Sequence, residues 1–373
     1  MRFETLAVHA GGEPDAETGA IAPPIHMATT FRHGPAGERR AGFEYVREGN
    51  PTQERLETAL AALEQGEAAL AFGSGMAAMT ALLESLPAGT TVLIPADCYT
   101  GLRVLAEEFL PRGGVRAIAT DMADLAAVEA QLNAGARAVW LETPSNPQLQ
   151  VADIAAIATL TRSAGALLFC DNTFATPALQ RPLSLGADVA MHSTTKYFGG
   201  HSDVMGGALV FARRDALYEG VSHRRHVTGG VLAPFNAWMT LRGLRSLPAR
   251  MSWHCANARR VAEFLAGHAR VVAVNYPGLA DHTGHATARR QMSDFGAMLS
   301  FRVAGGRDGA LAAAGRLQLI HNATSLGGCE TLIEHRASVE GANPVSPQDL
   351  LRLSVGLEHA DDLIADLDQA LNG

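Results

Sequence analysis

The sequence predicts an α/β protein with a largely parallel β-sheet covered by helices on both faces, followed by a smaller α/β domain. Short apolar runs alternate with helical patterns from residue 68 to about residue 215, which is typical of parallel sheets between helices. The length of 373 residues accommodates one large and one small domain. The composition, 47% hydrophobic and 18% charged, is that of a globular protein.

Residues 1–50 precede the alternating pattern and are predicted to form an N-terminal arm. They are rich in Gly, Pro and His, and the segment AIAPPIHMATTF (20–31) favours an extended chain. A helix is expected from Pro51, because proline suits the first helical position and leucines follow at helical spacing. Gly66 is predicted to end this helix.

Five apolar runs are predicted to be buried strands of the main sheet. They span residues 91–97, 137–144, 166–173, 188–194 and 206–212. Helices are predicted between them at 124–132 and 153–165. Because ligands of parallel α/β sheets bind beyond the carboxyl ends of the strands, we expect the functional residues just after these runs.

The last third of the chain is predicted to form the second domain. Residues 241–268 indicate a long helix with a kink or break near Pro248. Strands are expected within 297–305 and 350–358, and a terminal helix within 361–373. These patterns divide the chain into residues 1–50, 51–245 and 246–373.

Charge and cysteine content exclude several classes of function. The net charge of −8 provides no basic footprint for nucleic acid. Four widely separated cysteines favour neither a disulfide framework nor a metal site. The N-terminus lacks the apolar core of a signal peptide, and no window approaches the length of a membrane span. We therefore expect a cytoplasmic protein with no metal, nucleic-acid or membrane partner.

Three segments carry residues suited to chemistry. FGSGMAAM (72–79) leads into a helix whose first N–H groups can bind phosphate, although a tight turn is the simpler interpretation. In FCDNTF (169–174), Asp171 follows a strand and is either a helix cap or a site residue. In HSTTKYFGG (192–200), Lys196 is either a surface lysine or an amine that condenses with an aldehyde.

The order of these segments favours the functional interpretation, with pyridoxal 5'-phosphate (PLP) as the cofactor. PLP has a phosphate, a ring nitrogen that benefits from an anionic partner and an aldehyde that requires a lysine. Asp171 would keep the ring nitrogen protonated, because an opposite charge favours the charged form. Lys196 would hold the aldehyde and then move protons.

Motifs over nearly the whole chain extend this interpretation. They are YVREGNPT (45–52), GSGMAA (73–78), DCYTG (97–101), ETPSNP (142–147), DNTF (171–174), STTKY (193–197), GHSDV (200–204), SLGG (325–328) and LLRLSVGLE (350–358). By these motifs the chain resembles the Cys/Met-metabolism, or trans-sulfuration, family of PLP-dependent enzymes. The resemblance implies fold type I, the aspartate aminotransferase-like fold. It also implies a homotetramer built from dimers, an arm contacting the neighbouring subunit, a PLP-binding domain (51–245) and a C-terminal domain.

The resemblance also implies residue roles. The catalytic residues would be Lys196 and Tyr99. Cofactor-binding residues would be Tyr45, Arg47, Gly75, Met76, Tyr99, Asn146, Asp171, Thr173, Ser193, Thr195 and Lys196. Substrate-binding residues would be Arg352, Ser325 and Asn146.

Some of these roles have a simpler alternative. Tyr45 and Arg47 would reach the phosphate of a neighbouring subunit, and Tyr99 would stack on the ring; both tyrosines could instead be ordinary interface or core aromatics. Arg352 would clamp the substrate carboxylate with its planar guanidinium, or would simply pair with Glu358 or another acid.

Several reactions are compatible with the resemblance. We rank γ-elimination of cystathionine (γ-lyase) first and γ-replacement of an O-acylhomoserine by cysteine (γ-synthase) second, followed by cystathionine β-lyase and methionine γ-lyase. Alternatives from other classes are an aminotransferase and a catalytically silent binding protein, the latter opposed by the intact set of Lys196, Asp171 and Arg352. Four departures from the family pattern are candidates for setting specificity: Glu48, Thr324, Arg336 and Glu340.

Overall fold

The computed structural model describes residues 1–341 and 344–373, and these residues form two β-sheets with surrounding helices. The larger sheet has seven strands in the described chain, in the order β1-β7-β6-β5-β4-β2-β3. The strands are β1 (Ala68–Phe72), β2 (Thr91–Pro95), β3 (Arg116–Thr120), β4 (Ala138–Glu142), β5 (Leu167–Asp171), β6 (Val189–His192) and β7 (Gly207–Phe211). Only β7 runs against its neighbours, so the prediction of a mostly parallel sheet is confirmed.

The smaller sheet lies in the C-terminal part of the chain and is mostly antiparallel. Its described strands are β8 (Val271–Asn275), β9 (Met298–Val303), β10 (His321–Asn322), β11 (Leu332–His335) and β12 (Leu350–Ser354), in the order β10-β11-β12-β9-β8. The register of β11 and β12 pairs Glu334 with Arg352. This pairing brings an acid and a base to one point of the sheet.

The helices cover both faces of the larger sheet and one side of the smaller one. They are α1 (Phe3–His9), α2 (Pro51–Glu64), α3 (Gly75–Leu83), α4 (Thr100–Val104), α5 (Leu125–Asn133), α6 (Ile154–Ser163), α7 (Thr176–Leu179), α8 (Ala216–Thr228), α9 (Pro234–Leu244), α10 (Leu247–Gly267), α11 (His285–Gln291), α12 (Gly306–Arg316), α13 (Arg336–Val339) and α14 (Ala360–Asn372). No helix in the described ranges is both long enough and apolar enough to cross a membrane.

The strands of the larger sheet are buried on both faces, as β4 illustrates. Side chains alternate in direction along a strand. Trp140 packs in the core that includes α3, while Leu141 packs in the core with α5 and α6. Both side chains are fully buried. This two-sided burial explains why the strands appear in the sequence as continuous apolar runs.

Several local predictions are confirmed and others are wrong. Helix α2 begins at Pro51, but its left-handed cap is Gln65, at a φ of 62°, rather than Gly66. The arm contains the unpredicted helix α1, which is too short to show periodicity and buries Ala7 against the core with α2. A break separates α9 from α10, with Pro248 in the first turn of α10.

Two strands of the larger sheet, β1 and β3, were not predicted from the sequence. Their sequences, AALAF and RAIAT, are rich in alanine, which has little intrinsic strand preference. Strand β1 forms because it pairs along its whole length with β7, and β3 because it pairs with β2. Tertiary pairing therefore overrides the local preference at both positions.

Candidate active site

A cavity of about 280 Å³ lies at the carboxyl edge of the larger sheet and is closed by residues near the smaller sheet. Strands β4 and β5 end there with Glu142 and Asp171, as expected for a parallel sheet. The cavity brings together most of the predicted site residues: Gly75, Met76, Tyr99, Asn146, Asp171, Thr173, Ser193, Thr195, Lys196, Ser325 and Arg352.

One end of the cavity is formed by the first turn of α3. Ser74 caps this helix, and its Oγ accepts a hydrogen bond from the Ala77 N–H at 3.0 Å. The amides of Gly75 and Met76 begin the helix, where N–H groups have no carbonyl partner within it. A Cβ on Gly75 would lie 3.0 Å from Ser193 Cβ, so a larger residue would crowd the Ser193 side chain at this cradle. The cradle suits a phosphate group.

Hydrogen bonds hold the neighbouring hydroxyl residues in place. The Ser193 N–H donates to Thr173 Oγ1 at 2.9 Å, and the Thr173 N–H donates to Asp171 Oδ1 at 2.9 Å. The Thr195 hydroxyl donates to the Gly206 carbonyl at 3.2 Å. The phosphate cradle and the carboxylate at the end of β5 are thus connected through the hydroxyl and the N–H of Thr173.

Two carboxyl groups, Glu142 and Asp171, lie at paired positions of β4 and β5. Burial raises the pKa of Asp171, and hydrogen bonds from Thr173 oppose this effect. Burial and then the charge of Asp171 raise the pKa of Glu142, whose Oε2 accepts the Tyr99 N–H at 2.9 Å. A cationic ring nitrogen beside Asp171 would compensate its buried charge.

Lys196 lines the cavity. Its Nζ donates to Ser325 Oγ at 2.7 Å, so the side chain of Ser325, a residue predicted to bind substrate, contacts the lysine. Burial and then the charge of Arg352 lower the pKa of Lys196 to about 8, while Glu334 opposes them. Ser325 has a φ of 89°, a conformation that strains a residue other than glycine. Because the pKa of Lys196 is lowered, the site presents a nucleophilic amine near neutral pH.

Arg352 lines the end of the cavity that is predicted to bind the substrate, its substrate end. Its Nη1 donates to Asn146 Oδ1 at 3.0 Å, and its Nη2 donates to the Ser325 carbonyl at 3.2 Å and to Glu334 Oε2 at 2.8 Å. The simpler interpretation named a pair with Glu358 or another acid: Glu358 binds Thr331 instead, but Arg352 does pair with another acid, Glu334. Burial lowers the pKa of Arg352 to about 10.

Tyr45 and Arg47 lie outside this cavity in their own chain. They line a separate surface depression with His226, whose carbonyl accepts the Arg47 Nε–H at 3.1 Å. The Arg47 guanidinium lies 4.9 Å from the centre of the Tyr45 ring. The single chain therefore does not bring these two residues to its own phosphate cradle, and their predicted role in a neighbouring subunit remains a prediction.

Three of the four specificity candidates lie at the substrate end, and Glu48 does not. Thr324 and Arg336 line the cavity. Glu340 lies 3.7 Å from Arg336 and accepts backbone N–H bonds from the segment that follows it. Glu48 instead pairs with Arg39 on the arm at 2.7 Å.

Sequence reasoning assigned no role to two acids of the site, Glu142 and Glu334. Glu142 ends an apolar run just as Asp171 does, and this position at the end of a strand could have indicated a site residue. Glu334 carries no local signal, because its role depends on the register between β11 and β12. Within residues 1–341 and 344–373, no group of three or more His, Cys, Asp or Glu side chains is placed to hold a metal ion.

PLP would satisfy each part of this cavity. The glycine cradle at α3 would hold its phosphate, the buried carboxylate of Asp171 would pair with its ring nitrogen, and the amine of Lys196 would receive its aldehyde. Bound PLP withdraws electrons from the bonds at Cα of an amino acid attached to its aldehyde carbon. Fold and cavity together define the class of PLP-dependent enzymes that act on amino acids.

The comparisons with known proteins give the family within this class. The model of the Cys/Met metabolism PLP-dependent enzyme family matches residues 4–372, and the chain belongs to this family. The chain is 48% identical to cystathionine gamma-synthase of Mycobacterium tuberculosis over 98% of this chain and 96% of that protein. It is 40% identical to cystathionine gamma-lyase of Bacillus subtilis over 100% of this chain and 99% of that protein.

A solved structure agrees with these sequence relatives. MetB from Corynebacterium glutamicum matches with a TM-score of 0.97 at 42% identity, over 100% of this chain and 98% of that chain. The predicted family, fold and PLP dependence are confirmed, and the protein is an enzyme of cysteine and methionine metabolism. Other relatives are named cystathionine beta-lyase and L-methionine gamma-lyase, so membership of the family does not select one reaction.

Proposed function

We propose that this enzyme joins cysteine to an O-acylhomoserine and forms cystathionine, which is a γ-replacement. The observation that carries this proposal is the charge of the substrate end of the cavity. Among the described residues lining the cavity, the carboxylates are Glu142 and Asp171, at the predicted cofactor ring. The substrate end presents Lys196, Arg336 and Arg352, and Glu334, which binds both guanidiniums, offsets part of this positive charge.

The substrate end suits an anionic acyl group better than the far end of cystathionine, which carries an ammonium group beside its carboxylate. Cystathionine carries a second ammonium group at its far end, which a lyase must hold during catalysis. Thr324 offers only a hydroxyl to that ammonium group, and the positive charge of Arg336 disfavours its binding there. The relatives support the same order, since the synthase is 48% identical and the lyase 40%. The proposal therefore reverses the ranking made from the sequence alone.

Each role in this reaction is assigned to a residue of the cavity. Arg352 binds the substrate carboxylate, and Tyr99 covers the ring. Lys196 takes the proton from Cα and serves at Cβ as well, because its lowered pKa suits a general base. Ser325 orients the lysine amine. The Cγ–O bond breaks and the acyl group leaves as a carboxylate; the cysteine sulfur bonds to Cγ and its proton is released.

The test is a product assay on the PLP-loaded enzyme. Protein is incubated with O-succinyl- or O-acetylhomoserine, with and without cysteine, and cystathionine is identified by mass spectrometry. A Lys196→Ala variant is the control for background reaction. Cystathionine formed only with cysteine supports the proposal. An enzyme that forms no cystathionine from either ester but releases 2-oxobutyrate from cystathionine contradicts it.

The second candidate is γ-elimination of cystathionine to cysteine and 2-oxobutyrate. It is supported by the Bacillus subtilis lyase, which matches the full length of this chain. The same assay, run with cystathionine alone, separates it from β-elimination, which gives pyruvate and homocysteine.

We further propose that the enzyme is a tetramer of two dimers, in which Tyr45 and Arg47 complete the phosphate site of the partner subunit. Tyr45 is 40% exposed, and neither residue lines the cavity of its own chain. The test mixes an inactive Lys196→Ala subunit with an impaired Arg47→Ala subunit. A shared site predicts recovered activity, because one site of each mixed dimer is intact. No recovery in proven mixed dimers contradicts the proposal. A cytoplasmic location remains a prediction.

A further inference from the structure

Two buried guanidiniums meet one carboxylate oxygen at the substrate end of the cavity. Arg336 Nη1 donates to Glu334 Oε2 at 2.6 Å, and Arg352 Nη2 donates to the same oxygen at 2.8 Å. Glu334, Arg336 and Arg352 are 3%, 6% and 4% exposed. Two cations thus share one anion, and buried cations are normally fully paired.

Arg336 retains hydrogen-bonding capacity within this cluster. Its Nε is buried and has no hydrogen-bond partner among the described residues. Its Nη2 reaches Thr100 Oγ1 only at 3.5 Å and Glu340 Oε1 at 3.7 Å. A guanidinium has five N–H donors, and buried donors are usually satisfied. Arg336 therefore has donors available for an anion in the cavity that its side chain lines.

The backbone fixes Arg336 at this place. It is the first residue of α13, directly after β11, and Glu334 pairs with Arg352 across the sheet. Glu340, at the end of α13, is held by the N–H groups of Val345 and Ser346 at 2.9 and 3.0 Å. Acids on both sides orient Arg336 without occupying all of its donors.

We propose that Arg336 is a specificity residue that binds a second carboxylate, carried by the side chain or the acyl group of the substrate. Arg352 would hold the first carboxylate, and the shared Glu334 sets the spacing between the two anion sites. This inference rests on the proposed function in naming the preferred substrate: an O-acylhomoserine whose acyl group ends in a carboxylate, rather than one with a neutral acyl group. A planar guanidinium suits this task, because it binds a carboxylate through two parallel bonds.

The first test needs no turnover. Binding of succinate, glutarate and the monoacid butyrate to the PLP-loaded enzyme is measured by calorimetry. Two anion sites predict that at least one diacid binds about tenfold or more tightly than butyrate. Arg336→Met should abolish this preference and leave butyrate binding unchanged, whereas Arg336→Lys should retain part of it. Equal binding of diacids and monoacid by the wild type, or equal losses for all three in Arg336→Met, would overturn the inference.

The second test compares O-succinylhomoserine with O-acetylhomoserine in the synthase assay. In Arg336→Met, kcat/KM for the succinyl ester should fall about tenfold or more, through KM, while the acetyl ester is little affected. Equal effects on both esters would indicate a structural role and overturn the inference. The control is Arg302→Met, an exposed arginine of the same sheet that pairs with Asp349 outside the cavity. If the wild type uses neither ester, the proposed function fails, and the diacid titration still tests Arg336.

Discussion

Replacing Glu334 by glutamine tests the energetic role of the shared carboxylate. The substitution keeps the size of the side chain but leaves the buried guanidiniums of Arg336 and Arg352 without their common anion. Breaking a buried ion pair in this way costs about 3–5 kcal/mol. We expect the free energy of unfolding in urea, followed by circular dichroism of the PLP-loaded enzyme, to fall by that amount.

The matched control is Glu219→Gln. Glu219 lies 3.8 Å from Arg214 in a pair with both side chains about two-thirds exposed. Exposed pairs contribute less than about 1 kcal/mol, so this variant should unfold almost as the wild type does. Equal free energies of unfolding for the two variants would refute the reasoning about the buried cluster.

The same substitution also shifts a proton equilibrium. Glu334 raises the pKa of Lys196, whereas burial and Arg352 lower it to about 8. Without the carboxylate the pKa falls further, so a larger fraction of the amine is neutral at any pH below 8. The rate at which the apo form binds PLP, followed by cofactor absorbance, should therefore reach its plateau at lower pH in Glu334→Gln than in the wild type. An unchanged profile would contradict the assigned electrostatics.

Three further predictions concern the cofactor end. In the wild type, PLP binding to the apo form should accelerate as pH rises and level off above about 8, where the Lys196 amine is neutral; a rate independent of pH would contradict this pKa. Gly75→Ala should weaken PLP affinity about tenfold or more, because the added Cβ crowds the Ser193 side chain at the phosphate cradle, while the control Gly220→Ala meets no atom within 4 Å and should bind PLP normally; equal affinities would exclude the cradle. Asp171→Asn should keep bound PLP but lower kcat about 100-fold, because the ring nitrogen loses its anionic partner; unchanged turnover would remove Asp171 from the mechanism.

Local sequence patterns predicted the main strands of the larger sheet and the residues that follow them. The strands of the larger sheet are buried on both faces, so they appear as apolar runs, and the residues at their carboxyl ends define the position of the site. Gly75, Asp171 and Lys196 were found because each occupies such a position, at a helix start or shortly after a strand. The short helix α1 and the alanine-rich strands β1 and β3 were not predicted, because they are stabilised by packing and by strand pairing rather than by local preference.

The chemistry of the substrate end was decided by the tertiary structure. Ser325 lies 129 residues from Lys196, and Asn146 lies 206 residues from Arg352, yet each pair is in hydrogen-bond contact. The role of Glu334 depends on the register of β11 against β12. A shift of one residue in that register would turn the side chain of Glu334 to the other face of the sheet. The sequence alone thus determined the fold class and the cofactor and indicated Lys196 as its lysine, because these follow from short patterns. The charges around the substrate depend on contacts between distant segments, and only the folded chain establishes them.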